Sequence, residues 1–257
     1  MTDGIQFDRD GATATLTLAR PAKMNAVSHA MWSAVPDVVA EVEADPAIRV
    51  LVLTGAGDHF SAGADIGEFR ELRATPEGAA VYDDAVEKAV RALTGMRKPS
   101  IARVRGNCIG GGCQLSVACD FRFAARGSRF GITPAKLGIV YDFASTRRLV
   151  ALVGPARARY LLLSARLLDA DRAHGIGLVD EVVDDDALEE ATADFARTLC
   201  SRSQTSVRGM NEIIERITEG QRDSDAAVEA LRAEAVAGDD YAEGVAAFLE
   251  RRSPDFG

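Results

Sequence analysis

The sequence predicts a mixed α/β protein with strands dominating its first part and helices its second. Three observations carry this expectation. Short runs rich in Val, Ile, Leu and Thr stand at residues 12–19 (ATATLTLA), 48–54 (IRVLVLT) and 100–105 (SIARVR), with helical stretches between them. Two of these runs open directly into glycine-rich segments. From about Ser145 onward the pattern is helical, broken by the short apolar run at residues 177–183 (GLVDEVV). The contrast between period-two and helical spacing is the primary signal.

Taken in order, residues 12–19 alternate small or polar with apolar side chains, and residues 48–54 read as a more buried strand. Between them Met31, Val35, Val38, Val39 and Val42 recur at helical spacing, with Ser28 as the start signal and Asp45-Pro46 as the stop. Residues 55–65 (GAGDHFSAGAD) are too rich in small side chains for a core element, and read as a loop that lets something approach its backbone. A helix running to about Lys98-Pro99 is expected to bury one face made of Val81, Val86, Ala89, Val90, Leu93 and Met96. The strand at 100–105 enters residues 106–114 (GNCIGGGCQ), and residues 115–119 continue as a buried helix. Residues 121–124 and 129–132 read as two further short strands.

At 257 residues, 47% hydrophobic and 27% charged, the chain suits one main globular domain with or without a small appendage. A formal charge of −9 and the lack of any Lys/Arg cluster argue against a nucleic-acid surface, while leaving room for a local pocket that takes one small phosphorylated ligand. No basic-then-apolar leader opens the sequence and no stretch reaches membrane-spanning length, so a cytoplasmic protein without membrane contact is expected. Cys108, Cys113, Cys119 and Cys200 form no Cys-x-x-Cys pair, and no His neighbours the first three; free buried thiols are expected rather than a metal site.

Each glycine-rich segment, 55–65 and 106–114, can present unpaired backbone N–H groups beside a helix N-terminus, where partial positive charge favours an anion. Two such donors converging on one oxygen make an oxyanion hole, worth roughly 3–4 kcal/mol per donor at the transition state. The spacing of Gly110, Gly111 and Gly112 fits neither the dinucleotide fingerprint nor a phosphate loop, and a triple glycine by itself is equally a turn or packing device.

Together the two segments resemble the enoyl-CoA hydratase/isomerase (crotonase) superfamily, and further motifs extend the resemblance over nearly the whole chain. Residues 20–26 (RPAKMNA) resemble the early Arg-Pro-x-x-x-Asn-Ala motif, 60–66 (FSAGADI) the first oxyanion loop and 106–114 the second. Residues 173–183 (AHGIGLVDEVV) resemble the segment closing the core, and 243–252 (EGVAAFLERR) the C-terminal signature. The resemblance implies a crotonase-type spiral of ββα turns over residues 1–195, followed by a helical oligomerisation region at 196–257 that builds a homotrimer or a dimer of trimers. It also implies an acyl-CoA thioester as ligand, with coenzyme A entering as part of the substrate and no separate cofactor. Carried over by position, the oxyanion donors are the N–H groups of Ala64 and Gly111. Lys23, Ala26, Ala62, Asp65 and Ile66 lie around the CoA arm and adenine. Phe248 and Arg251 border the nucleotide end, from this subunit or a neighbouring one. Arg251 suits a CoA phosphate by paired charge-assisted bonds, but also reads as a solvated charge; Phe248 also reads as helix-face packing and Lys23 as a loop charge.

The chain departs from the family where proton transfer is done. The two glutamates of the hydratases are replaced by Gln114 and Pro134, neither of which exchanges a proton near neutral pH. An acid or a base contributes roughly 10²–10⁴-fold to such a step. Tyr141 and Asp142 stand where many relatives have glycines, and Asp142 matches a catalytic aspartate of dienoyl-CoA isomerases. Thr133-Pro134 with Tyr141 instead resembles methylmalonyl-CoA decarboxylases. These positions favour a decarboxylase-like or isomerase reaction through a stabilised enolate, with Tyr141, Asp142 or water as proton donor. Asp142 equally reads as a helix cap, and His59 as a structural loop residue. Glu68 and Glu71 are further acid/base candidates. A weak hydratase and a non-catalytic acyl-CoA binder are the alternatives.

Overall fold

The computed structural model describes residues 2–257. Its first half winds parallel strands and helices into stacked turns. β1 (Ile5–Asp10) pairs antiparallel with β2 (Thr13–Leu18), and the 16-residue helix α1 (His29–Ala44) leads to β3 (Val50–Gly55), parallel to β2. The short helix α2 (Phe69–Leu72) and α3 (Pro76–Thr94) precede β4 (Ser100–Val104), parallel to β3. β5 (Asn107–Ile109) and α4 (Gly111–Ala118) then lead to β6 (Phe121–Ala125), β7 (Arg129–Gly131) and the long α5 (Phe143–Ser164). After β8 (Leu168–Asp169), α6 (Ala170–Gly175) and β9 (Glu181–Val183) come four helices: α7 (Leu188–Cys200), α8 (Gln204–Thr218), α9 (Ala226–Ala237) and α10 (Asp239–Glu250). The sheets run β1-β2-β3-β4-β6-β9 and β5-β7-β8. This is the crotonase-type α/β arrangement with a helical C-terminal region. The line expected between 195 and 196 runs through α7, whose Leu188 and Ala196 join a core cluster with Val50, Val52 and Ile101 of the larger sheet.

Local chemistry accounts for the main elements. β3 is buried along Val50, Leu51, Val52 and Leu53 because both faces of the large sheet are covered. Leu51 and Leu53 join the core beneath α1 and α3, while Val50 and Val52 face α7. Ser28 caps α1 by accepting the Met31 N–H, and Thr75 caps α3 by accepting that of Gly78. The end of α1 is closed by buried Lys98, whose Nζ donates to the carbonyls of Val42 and Asp45 at 2.6 Å each. Burial lowers the Lys98 pKa.

Two expectations need correction. Val81 lies on the outside of α3, 63% exposed, because the buried face runs through Tyr82, Ala85, Ala89, Val90 and Leu93, centred about a quarter of the way round the helix from it. β1, β5 and β8 were not anticipated. β1 buries little beyond Ile5, and the other two are only three and two residues long. All four cysteines are free, three of them buried, and burial pushes the Cys119 thiol up to about 12. No helix among the described residues is long and apolar enough to cross a membrane.

Candidate active site

The early motif acts as a bracket for the first glycine-rich loop. Asn25, fully buried with φ of 55°, accepts the Arg20 N–H at 2.9 Å and donates to the carbonyls of Ala56 (2.8 Å) and His59 (2.6 Å). Asn tolerates this left-handed conformation better than most residues. Arg20 donates to the Ala26 carbonyl and the Asp65 carboxylate at 2.8 Å each, and Lys23 reaches the same carboxylate at 2.9 Å. The hydrogen bonds from Lys23 and Arg20, with that from the Gly67 N–H, hold Asp65 below the usual carboxylate range against the opposing effect of burial. Lys23 and Asp65 are therefore tied to each other.

This bracket lays the loop against its neighbours by backbone pairing. Val27 N–H donates to Gly63 O at 2.7 Å, and Asp65 N–H to Val27 O at 2.9 Å. Ser61 N–H donates to Asn107 O at 2.8 Å, and Ile109 N–H to Ser61 O at 3.0 Å. His59 has a structural role: its Nδ1 accepts the Asn107 N–H at 3.2 Å.

Between the two loops, the N–H groups of Ala64 and Gly111 find no protein acceptor among the described residues. They stand side by side. A Cβ on Gly111 would lie 3.3 Å from the Ala64 nitrogen and only 2.7 Å from Cζ2 of Trp32, so the ring enforces glycine there. Gly110, at φ 53° and ψ −120°, turns the chain from β5 into α4 through a region closed to other side chains. Gly111 thereby becomes the first residue of α4, where the N–H is naturally unpaired.

Both amides face a cavity of about 620 Å³. Its lining includes Gln114, Thr133, Pro134, Tyr141 and Asp142, and, from α1 to α3, Trp32, Ile66, Phe69, Arg73, Tyr82 and Val86. Ala62 lines it too, but Lys23, Ala26 and Asp65 do not. Phe248 and Arg251 are not brought to it within the chain: Phe248, 83% exposed, lines a separate groove beside α9, and Arg251 ends α10. Their helix, the last of the chain, lies beside that groove and apart from the cavity. Neither Glu68, whose carboxylate accepts the His29 N–H at 2.7 Å, nor Glu71 lines the cavity.

The part of the lining that holds Asp142 is organised around Gln114, only 7% exposed. Its Nε2 donates to Asp142 Oδ2 at 2.9 Å and to Ser145 Oγ at 2.8 Å. A carboxylate only accepts, so the amide must present its NH₂ to it. The other oxygen of Asp142 accepts the Ser145 N–H at 2.8 Å and caps α5. The cap reading of Asp142 thus holds, and its second oxygen still reaches the cavity wall. The other lining carboxylates have cationic partners, Asp83 with Arg73 and Glu87 with Arg91. Burial, aided by Cys113 and Asp142, pushes the Tyr141 phenol well above its usual value, so it is neutral and able to donate.

Trp32 and Tyr82 were not singled out from the sequence as site residues, because large aromatics on apolar helix faces read as core. They are core, 1% and 2% exposed, yet Trp32 Nε1 and the Tyr82 hydroxyl lack hydrogen-bond partners. Only the folded cavity reveals this.

A spiral α/β fold that sets two unpaired backbone amides side by side at a cavity defines a site able to receive an anionic oxygen. The chain belongs to the Enoyl-CoA hydratase/isomerase family, which it matches over residues 8–257. It is 38% identical to the crotonyl-CoA hydratase of Syntrophomonas wolfei subsp. wolfei, covering 99% of this chain and 98% of that protein. It is 34% identical to the 1,2-epoxyphenylacetyl-CoA isomerase of Escherichia coli, over 94% of each. The crystal structure of an enoyl-CoA hydratase/carnithine racemase from Magnetospirillum magneticum superposes with a TM-score of 0.95 at 36% identity, covering all of this chain and 96% of that one.

Proposed function

We propose that this chain binds an acyl-CoA thioester, stabilises its enolate with the Ala64 and Gly111 N–H groups, and moves one proton with Asp142, as an isomerase does. The observation that supports this most is the Gln114–Asp142 pair: a carboxylate fixed by an amide donor, whereas Asp83 and Glu87, the other carboxylates lining the cavity, are paired with arginines. Shifting a double bond needs one group that removes a proton from one carbon and returns it to another. Adding water needs a base for the water and an acid for the α-carbon. Ala26, Ala62 and Ile66 would flank the CoA arm, with Lys23 and Asp65 shaping that edge. Phe248 and Arg251 would serve it only from a neighbouring subunit.

Decarboxylation of a malonyl-type thioester is the neighbouring reading, supported by Thr133 and neutral Tyr141 in the same wall. It generates the enolate without a base, so the hole carries most of the barrier. The presence of Asp142 beside the substrate's own carboxylate weighs against it. Hydration is the second reading, favoured by the hydratase names of several relatives.

The test is a panel of 2-enoyl, 3-enoyl and malonyl-type CoA thioesters in deuterium oxide, read by mass spectrometry. The wild type is expected to interconvert enoyl isomers with deuterium uptake, and Asp142→Asn to lose roughly 10²–10⁴-fold. Loss of CO₂ slowed by Tyr141→Phe but not by Asp142→Asn would instead establish the decarboxylase. Rapid crotonyl-CoA hydration surviving Asp142→Asn would sink the isomerase reading. No turnover of any thioester, with binding retained, would leave a non-catalytic binder.

A further inference from the structure

The amide of Gln114 is committed on one side and open on the other. Its two Nε2 hydrogens go to Asp142 Oδ2 at 2.9 Å and to Ser145 Oγ at 2.8 Å. Ser145, 3% exposed, gives its own N–H to the other oxygen of Asp142, so that carboxylate, amide and hydroxyl close a ring. The amide cannot turn over within this ring, because a carboxylate only accepts and would then face the amide's own oxygen. Oε1 is therefore fixed on the side away from Asp142 and Ser145. It accepts from no group among the described residues and is not closed off from solvent, and the open space that Gln114 borders is the cavity.

The helix α4 sets where this acceptor stands. Gln114 follows Gly111 by three residues, on the same face, and helical side chains lean back towards the N-terminus. Oε1 is thus carried towards the end of the helix where the Gly111 N–H waits for a ligand oxygen. We propose that Gln114 is a specificity residue whose Oε1 reads a hydroxyl on the acyl group, within the first few carbons beyond the thioester carbonyl, and turns away an ether or ketone at the same place. The assignment rests on the acyl-CoA reading above and adds the substrate class to it.

Hydrogen-bond accounting decides the chemistry. An amide with both hydrogens used is an acceptor only, so a substituent that meets it must bring a hydrogen of its own. An ether or ketone oxygen would face Oε1 lone pair to lone pair, and a plain hydrocarbon would strip Oε1 of water without replacing the bond; both cost free energy. A hydroxyl donates to Oε1 and can also accept, and the hydroxyl of Thr133 and the neutral phenol of Tyr141 line the same cavity as donors. An ammonium group has no lone pair for those two donors. A carboxylate would meet Asp142 and Oε1 together, without a hydrogen to offer either.

The test measures dissociation constants for butanoyl-CoA, 3-hydroxybutanoyl-CoA and 3-methoxybutanoyl-CoA by equilibrium dialysis, each thioester being counted by its own mass. The wild type is expected to bind the hydroxy thioester about three- to tenfold tighter than butanoyl-CoA, the worth of one net hydrogen bond, and the methoxy thioester no tighter than butanoyl-CoA. Gln114→Met keeps the volume and removes the acceptor: folded by circular dichroism, it should lose the preference and bind butanoyl-CoA at least as tightly as the wild type does. Asp142→Asn presents a group that donates as well as accepts, which frees the Gln114 amide to turn over, so the preference for hydroxy over methoxy should shrink. Equal affinity for the hydroxy and butanoyl thioesters in the wild type, a methoxy thioester bound as tightly as the hydroxy one, or a preference that survives Gln114→Met overturns the assignment while leaving the acyl-CoA reading intact. Dehydration of the hydroxy thioester to crotonyl-CoA also overturns it, since the hydroxyl would then be a leaving group served by an acid, which Gln114 is not. Failure to bind any of the three overturns this assignment and the acyl-CoA reading together.

Discussion

At the scale of single residues, Gly111 is held by two independent demands: its N–H is free for a ligand oxygen, and its missing side chain leaves room for Trp32. Substitutions separate them. Gly111→Ala keeps the N–H but adds a Cβ against the ring; Gly111→Pro adds the same carbon and removes the donor, at a helix position that accepts proline. With both variants folded by circular dichroism, the proline variant is expected to lose a further 10²–10³-fold in kcat, roughly the effect of deleting one oxyanion donor. Equal rates for the two variants would take Gly111 out of the hole. Asp65 gives a different prediction. Its folded pKa lies below the ordinary 3.8, so its ion pairs with Arg20 and Lys23 contribute stability that is complete above the unfolded value and is lost as pH falls through the folded one. Between about pH 5 and pH 2 the wild type should therefore lose more stability than Asp65→Asn, as read by urea midpoints. The resemblance to the family's motifs singled out Gly111, Gln114 and Asp142 by position. It could not expose Trp32 and Tyr82, whose unmet polar atoms exist only once α1 and α3 pack together.

At the scale of elements, Asp142 belongs to α5 as much as to the cavity. It receives the Ser145 N–H as a cap on one oxygen and the Gln114 amide on the other. Asn caps nearly as well as Asp, whereas Ala does not. Asp142→Asn is thus expected to melt close to the wild type, and Asp142→Ala to lose about 1 kcal/mol in chemical denaturation, so that any loss of turnover in the Asn variant reflects chemistry rather than unfolding. The buried strand β3 and the capped helix α1 were legible in advance because their burial pattern and caps are local. β1 was not, since only Ile5 of its six residues is buried and its place depends on pairing with β2. The helical period of α3 was legible but its phase was misplaced at Val81, because only contact with α1 decides which of two adjacent apolar stripes turns inward.

At the scale of the whole molecule, α9 and α10 leave Val236, Tyr241, Val245, Phe248 and Leu249 exposed around one groove. An apolar stripe of this extent at a chain terminus suits a subunit contact. A trimer or hexamer is expected by light scattering at micromolar concentration, and Phe248→Asp with Leu249→Asp should shift it towards monomer. A wild-type monomer would remove the route by which Phe248 and Arg251 could border a neighbour's ligand.

The backbone bridges that join residues 27 with 64 and 61 with 108 also bear on the order in which the chain folds. Ala64 pairs with Val27, and the segment leading into Gly111 pairs through Cys108 with Ser61, so placing the two amides requires closing long loops before any contact rewards the lost chain freedom. Helices such as α1 and α3 can form from local interactions; the pair of amides cannot. A collapsed intermediate with near-native helix content would carry the cavity walls without the hole. Recovery of turnover on refolding should trail recovery of helix, because the paired amides come together only when these separated loops have met.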